Sequence, residues 1–404
     1  MPTLEIKPTI DFYNDHVRRY ARLSKKTKVD DFVDNDPSKI GWSSSLKAHL
    51  ERGIELKFHE SAMRDSLYRP FSRKQLYFDN RLNHRVGIFP DAFPKPNSKN
   101  LLLAVTDAGA RSPFSVLAAD CIVDLHLAAS ADTFQCFPQF TYSEDGKERR
   151  DNITPKALTL FQIFYEDDDI TRADIFHYVY ALLHHPAYRT RYAENLKREL
   201  PRIPFVGVVG RVAPRAPLPA KKGGLVDDDG AHGVTRPTFF PLAAVEKMQG
   251  DAKPDHNPKA SAKLFHAFAA AGKKLADLHV NYESAKEFPL KRQENKAVKL
   301  DWRVEAMKLS KDKASLFYND FLTLSGIPAE VFDYHLGNRS GLEWVIDQYR
   351  VTKDDNGNIT SDPNRLDDEQ YIVRLLGQVI TVSLETVKVV KLLPALGTSA
   401  SVGS

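Results

Sequence analysis

A chain of 404 residues with 42% apolar and 27% charged side chains is long enough for two or three domains, and its composition excludes a collagenous or wholly disordered protein. Its longest apolar runs, such as Leu101–Val105 and Phe205–Gly210, fall far short of the roughly 18 residues of a membrane span; with no cationic and apolar leader at Met1, no membrane partner and a cytoplasmic location are expected. The net charge of +4 hides two basic regions, 19 Lys and Arg against 13 Asp and Glu over residues 1–100, and nine against two over residues 181–225. Such regions suit a polyanion held on part of the surface, and equally suit ordinary solvated helix faces.

Residues 1–60 read as an N-terminal helical segment, with helices from about Asp11 to Lys57 broken by a turn at Asn35–Pro37, since the residue before proline is pushed out of helical conformation. Residues 61–206 combine a β-rich part with paired helices. Short aromatic and β-branched runs (Leu76–Phe78, Val86–Phe89, Leu101–Thr106, Ser115–Leu117, Cys121–Val123, Thr133–Phe137) alternate with turn signals at Asp79-Asn80, Pro94–Pro96, Asp107–Gly109 and Ser130–Asp132, and predict a mostly antiparallel sheet. Thr171–Asp174 has the spacing of a capping box and opens the stripe Ile175, Tyr178, Val179, Leu182, which stops before Pro186. A second helix is predicted over 187–200. At 100° per residue it would gather Arg191, Arg198 and Arg202 within about 40°, away from Tyr188, Tyr192, Leu196 and Leu200, with Arg189 at the edge of the apolar side.

Residues 207–257 are rich in Pro, Gly and charge and read as a connection. From 258 to 404 the pattern is mainly helical: a helix from Pro258 to about Leu278, one from Lys313 to Leu322, a turn at Pro328, a helix opened by the capping box Ser340–Glu343, and a last helix from about Asp367 to Leu392. The expected fold class is therefore α+β, a mixed or antiparallel β region flanked by helices with a mainly helical C-terminal part.

Motifs for catalysis are absent. Neither glycine-rich phosphate cradle occurs. Asp167–Asp169 suits the dipole of the following helix, and His184-His185 suits the carbonyls at a helix end. Cys121 and Cys136 read as inert thiols, and with His126 they match no zinc spacing, so neither a catalytic nor a metal residue is expected. Ser310–Lys313 has the S-x-x-K spacing without its partner motifs, and Ser310 reads as the N-cap of the 313–322 helix.

What remains is basic residues interleaved with aromatics and amides. Between Tyr68 and Arg85, the cations Arg69, Arg73, Lys74, Arg81 and Arg85 offer charge to phosphates or base edges, Gln75 and Asn83 carry amides able to pair with adenine, and Tyr77 can stack or pack. A charge-guarded edge strand would look similar. Arg191, Lys197, Arg198 and Arg202 form a second basic group, and the loop Gly337–Ser340 presents Asn338 and Arg339.

Four blocks, Ser66–Phe71 with Leu76–Asp79, Ile170–Pro186, Tyr188–Pro204 and Tyr334–Tyr349, resemble the C-terminal specificity region of Type ISP restriction-modification enzymes, over nearly the whole chain from about Thr9 to Leu393. In these single polypeptides a nuclease, a helicase-like translocase, an adenine methyltransferase and a target-recognition domain follow one another. The resemblance implies a module that reads double-stranded DNA, with the methyltransferase core of the same system as a partner in cis or in trans. It also implies no cofactor in this chain: S-adenosylmethionine, ATP and Mg belong to the other domains, and the N-P-P-Y motif that holds a flipped adenine is missing here. Arg69 and the 189–202 group fall inside shared blocks and are expected to be structural or phosphate-binding, with base readers around 73–140 and 207–258. Two other readings stand beside this one: a fragment serving an adenine methyltransferase, and a coupling scaffold that binds only protein.

Overall fold

The computed structural model describes residues 3–36, 39–84, 86–129, 131–207 and 257–396; the 207–257 connection therefore lies almost wholly outside the described residues, as do Pro37 and Arg85. In α1 (Thr3–Ala21) the residues Ile6, Ile10, Tyr13, Val17 and Tyr20 recur every three or four positions and are all buried, so one stripe of the helix faces inward. The helix begins well before Asp11 and packs on α3 (Ser44–Glu51), with α2 (Val29–Phe32) alongside. Asn14 ties the chain that leaves this unit, donating Nδ2 to Leu56 O and accepting from Leu56 N, both at 2.8 Å.

The β region follows. β1 (Met63–Arg69) and β2 (Ser72–Tyr77) form an antiparallel hairpin, and β1 pairs in parallel with β5 (Ile122–Val123). After α4 (Phe89–Ala92), β3 (Leu102–Thr106) lies between β4 (Val116–Ala119) and β6 (Phe134–Pro138), antiparallel to both. Every residue of β3 and β4 is buried because the sheet separates two cores. Leu102, Ala104, Leu117 and Ala119 enter one, while Leu103, Val105, Val116 and Ala118 enter the other, as the alternation of a strand requires. β7 (Phe140–Tyr142) and β8 (Arg149–Asp151) make a small ribbon. Cys121 and Cys136 are free and buried, and burial pushes both thiols up to about 12.

Helices α5 (Pro155–Tyr165) and α6 (Arg172–His184) cover the second core. The Thr171 capping box forms as expected: Thr171 Oγ1 accepts from Asp174 N at 3.1 Å and the Asp174 carboxylate accepts from Thr171 N at 2.9 Å. Thr171→Ala is expected to cost about 1 kcal/mol, read as a lower denaturant midpoint; an unchanged midpoint would mean that the cap does not hold this helix. The single helix expected over 187–200 is two short ones, α7 (Pro186–Arg191) and α8 (Ala193–Leu196), separated at Tyr192. Tyr188 and Leu196 are still both buried, but the break removes the shared helical face on which Arg191, Arg198 and Arg202 are expected.

In the C-terminal part α9 (Pro258–Val280) lies against α6. β9 (Lys291–Glu294), β10 (Lys308–Leu309), β11 (Ser315–Phe317) and β12 (Leu322–Ser325) form an antiparallel sheet in the order β10-β11-β12-β9. The helix expected over Lys313–Leu322 is thus replaced by strands. Lys313 has a left-handed φ of 58°, Ser310 Oγ accepts from Ser315 N at 3.0 Å within the β10–β11 turn, and Leu316, Leu322 and Leu324 point inward at strand spacing. Ser310 therefore braces a turn and caps no helix. The hairpin β13 (His335–Leu336) and β14 (Arg339–Ser340) leads into α10 (Gly341–Gln348), whose Ser340–Glu343 capping box is present. A ribbon of β15 (Thr352–Lys353) and β16 (Ile359–Ser361) precedes α11 (Tyr371–Lys391).

The architecture is α+β, with helices outweighing strands in the C-terminal part. Both large cores draw side chains from either side of residues 208–256. Among the described residues no helix is long and apolar enough to cross a membrane, and none of their His, Cys, Asp and Glu side chains group as a metal would need.

Candidate nucleic-acid interface

The stretch from Tyr68 to Asn83 is contiguous in sequence but divided in space. The hairpin pairs Met63 with Tyr77 at one end and turns through Pro70-Phe71 at the other, so strands about 20 Å long separate Arg69 and Lys74 from Arg81 and Asn83. At the far end Asp79 Oδ1 accepts from Arg81 N at 2.8 Å, Asn83 Oδ1 accepts from Asp79 N at 2.7 Å, and the Arg81 guanidinium lies 3.7 Å from Asp79. That turn sits beside α3, with His49 Nδ1 3.2 Å from Arg81 O. Tyr77 packs: it is buried, stacked on Phe58 at 5.5 Å, and donates its hydroxyl to Lys57 O at 3.1 Å.

At the turn end, Arg69 donates to Asp124 Oδ1 and to Tyr68 O, both at 2.7 Å, and lies 4.2 Å from the Tyr68 ring centroid. Lys74 lies 4.3 Å from the same ring. Burial, and then the charge of Arg69, lower the pKa of this lysine. Arg73 donates to Asp120 Oδ1 at 2.7 Å and to Val280 O at 3.1 Å, fastening the sheet to the end of α9. Gln75 donates to Asp65, the residue opposite it on β1.

The loops after β3 and β5 meet at this same end. Asp124 Oδ1 also accepts from His126 N at 2.9 Å, and His126 Nδ1 lies 3.0 Å from Asp132 O. The Asp132 carboxylate accepts from Arg111 N at 3.0 Å and Ser112 N at 2.8 Å; hydrogen bonds from Ser112 and then Arg111 hold its pKa below the usual carboxylate range. Gly109 N donates to Lys197 O at 2.8 Å, which brings α8 to the loop.

The β13–β14 turn docks on the other side of the β5 loop. A Cβ on Gly337 would stand 2.6 Å from Ala128 O, and Gly337 has φ 63°, so only glycine fits that approach. The next two residues, Asn338 and Arg339, are exposed. Arg339 lies 4.8 Å from the Trp344 ring centroid and 3.6 Å from Asp347, a carboxylate shared at 3.6 Å with Arg350.

One rim thus collects Arg69, Lys74, Asn338 and Arg339, with Lys197 joined through its backbone. Arg191, Arg198 and Arg202 are exposed on and after the short helices, and Arg81 with Asn83 lies at the opposite end of the hairpin. Several cations already face acids: Lys197 meets Glu194 at 2.8 Å and Arg202 meets Glu199 at 2.6 Å. The exposed Arg111 and Arg350 also stand on this rim. Sequence offers only the turn at 107–109 as a hint of the first, because the contacts that place its loop are made with the distant Asp132 and Lys197.

The profile of the Type ISP C-terminal specificity domain matches residues 4–210 and 259–375. The chain belongs to this family. Among solved structures, the specificity domain is similar to part of a nuclease-deletion mutant of the Type ISP restriction-modification enzyme LlaGI in complex with a DNA substrate mimic, at 30% identity and a TM-score of 0.72, covering 98% of this chain and 31% of that one. It is likewise similar to the ATP-dependent Type ISP enzyme LlaBIII bound to DNA (26%, TM-score 0.73, 98% of this chain and 22% of that one) and to DrdV in a DNA complex (30%, TM-score 0.71, 97% and 34%). The chain spans about a third or less of the length of these relatives. No curated protein matches it.

Proposed function

We propose that this specificity domain reads the base sequence of double-stranded DNA on behalf of a Type ISP restriction-modification enzyme. The observation that carries the reading is the family match over most of the chain, and the rim around Ala128 is the surface that suits it. Lys74, exposed beside the Tyr68 ring, is placed to hold a phosphate and set register, with Arg69 held behind it by Asp124. Asn338 and Arg339 stand on a turn fixed by the Gly337–Ala128 approach and by two flanking strands. An amide and a guanidinium on a rigid turn, inside a block shared across the family, suit a groove edge or a phosphate. Base discrimination, at about 1–3 kcal/mol for a good bidentate pair, falls to the less shared stretch 73–140, whose loops meet the turn at this rim.

Methylation, translocation and cleavage belong, in this reading, to other domains of the parent enzyme, which would bind S-adenosylmethionine, ATP and Mg; the methyltransferase core would be the partner that acts on the bound site. The cytoplasm, where the DNA lies, would be the place of action.

The test is retention of random duplex DNA by the purified chain at two salt concentrations, with sequencing of what is held. Enrichment of one short motif, with affinity falling as salt rises, is the expected result. Retention without a motif would leave only the electrostatic contact. No retention at low salt would favour the scaffold that binds protein alone.

A further inference from the structure

The outer face of the sheet β10-β11-β12-β9 lies outside the rim just described. Leu309, Leu316 and Leu324 form its inner row and pack into the first core. The adjacent outward row, in register across all four strands, is Lys308, Phe317, Thr323 and Gln293; beside it runs Ser315, Ser325 and Lys291. Phe317 is 49% exposed, and every residue from Lys291 to Leu300 is exposed.

Lys291, Lys296, Lys299, Lys308 and Lys311 form no ion pair among the described residues, while the nearby acids are engaged elsewhere. Asp301 accepts from Arg303 N, Glu305 and Asp362 meet Arg303, Asp312 accepts from Ser310 and Ala314, and Glu343 meets Lys313. Among the described residues, Glu294 on β9 and Asp320 in the β11–β12 turn are acids beside this face that meet no cation. The face is continuous with the rim, since Ala306 and Met307, which lead into β10, line one hollow with Asn338 and Arg339.

Charged outer strands are a common defence against edge pairing, and that accounts for a lysine on β9 and one on β10. It does not account for a half-exposed phenylalanine between them, nor for Lys296, Lys299 and Lys311 in the segments beyond the strands. Lys308 and Lys291 on the face, with Lys296, Lys299 and Lys311 in the segments beside it, surround one apolar ring with unpaired ammonium groups, a set complementary to a sugar–phosphate chain, which offers closely spaced anions and an apolar sugar between them.

We propose that this sheet face is a second DNA-contact surface, which holds the sugar–phosphate backbone of the duplex beside the bases read at the rim. The inference rests on the DNA-reading function proposed above. Lysines on the face neutralise phosphates and the Phe317 ring lies against a sugar, so the contact adds affinity and length of footprint without adding sequence preference.

The test uses the whole chain, its K291A/K296A/K308A variant and its Phe317→Ser variant, all at exposed positions, with thermal unfolding as the control for folding. Affinity for the enriched duplex is measured over a salt series, together with the backbone footprint and the enriched motif. The triple variant is expected to bind about tenfold or more weakly at low salt, to flatten the slope of log K against log salt by about 2–3, near 0.9 for each lost phosphate contact, and to shorten the footprint on one flank with the motif unchanged. Phe317→Ser is expected to weaken binding with the salt slope unchanged. Unaltered slope and footprint in the triple variant, while the parent chain still enriches a motif, would overturn this proposal and leave the DNA-reading function standing. A lysine-dependent loss confined to association with an acidic protein would overturn it too, assigning the face to protein. A parent chain that holds no duplex would remove both.

Discussion

Replacing Phe71 with alanine is expected to destabilise the chain by about 3–5 kcal/mol, the range for removing a fully buried phenylalanine. The side chain is 1% exposed. It projects from the β1–β2 turn into the C-terminal half of the molecule, edge-on to Tyr282 at 5.2 Å and to Tyr334 at 6.4 Å, and its carbonyl accepts from the Tyr349 hydroxyl at 3.3 Å. Its φ of 59° lies in the left-handed region, where a residue other than glycine carries strain of about 1–3 kcal/mol. Burial of the ring outweighs that strain, which is why a large residue occupies a position suited to glycine. Phe71→Gly is therefore expected to be no less stable than Phe71→Ala, although glycine ordinarily costs more than alanine. Guanidinium unfolding of the three proteins checks both statements. A Phe71→Ala chain with the parent midpoint would show that the turn is not anchored, and a clearly weaker glycine variant would show that the backbone is not left-handed there. Because Arg69 and Lys74 flank this turn, the alanine variant is also expected to lose affinity for duplex DNA if the rim is the contact surface.

Phe71 also illustrates which parts of the molecule could be read from sequence. Local signals were legible. The capping boxes at Thr171 and Ser340 form, the β-rich texture of 68–140 becomes strands except at Val86–Phe89, which is a turn running into α4, and the block Ser66–Phe71 that carried the family resemblance contains the buried anchor. Reading failed where a second pattern imitated the first. The leucines at 316, 322 and 324 fit a helix loosely, but the left-handed Lys313 and the Ser310 turn commit them to strands. Arrangement over distance was not legible either. Nothing near Arg69 announces Asp124, 55 residues away, nor does the sequence near Arg73 announce Asp120, yet these pairings decide which cations remain free. The lysines of the four-stranded sheet come from several separate segments, so no run of basic residues marks them, and their common face exists only through strand register.

Gly272→Ala is expected to reverse the usual sign of a glycine replacement in a helix. In an open helix interior alanine gains about 1 kcal/mol over glycine. Here α9 crosses α6 at Gly272, and an added Cβ would stand 1.8 Å from His177 O, 2.6 Å from His177 C and 3.1 Å from Ala181 N. All three are backbone atoms of α6, so no side chain can swing aside and the two helices must separate. Overpacking of this kind costs about 1–3 kcal/mol, and more where the obstacle is backbone. The consequence is not confined to the crossing. Two turns further along α9, His279 lies 2.5 Å from the Tyr180 hydroxyl and 2.9 Å from Thr386 Oγ1, and its ring stacks at 5.2 Å on Tyr334, the residue just ahead of the β13–β14 hairpin. Moving α9 outward therefore disturbs the support of Asn338 and Arg339 as well as the core. The substituted chain is expected to unfold at lower denaturant than the parent and, where it remains folded, to bind duplex DNA more weakly. A Gly272→Ala chain more stable than the parent would mean that the ordinary helix preference prevails, and that α6 and α9 do not meet at this residue.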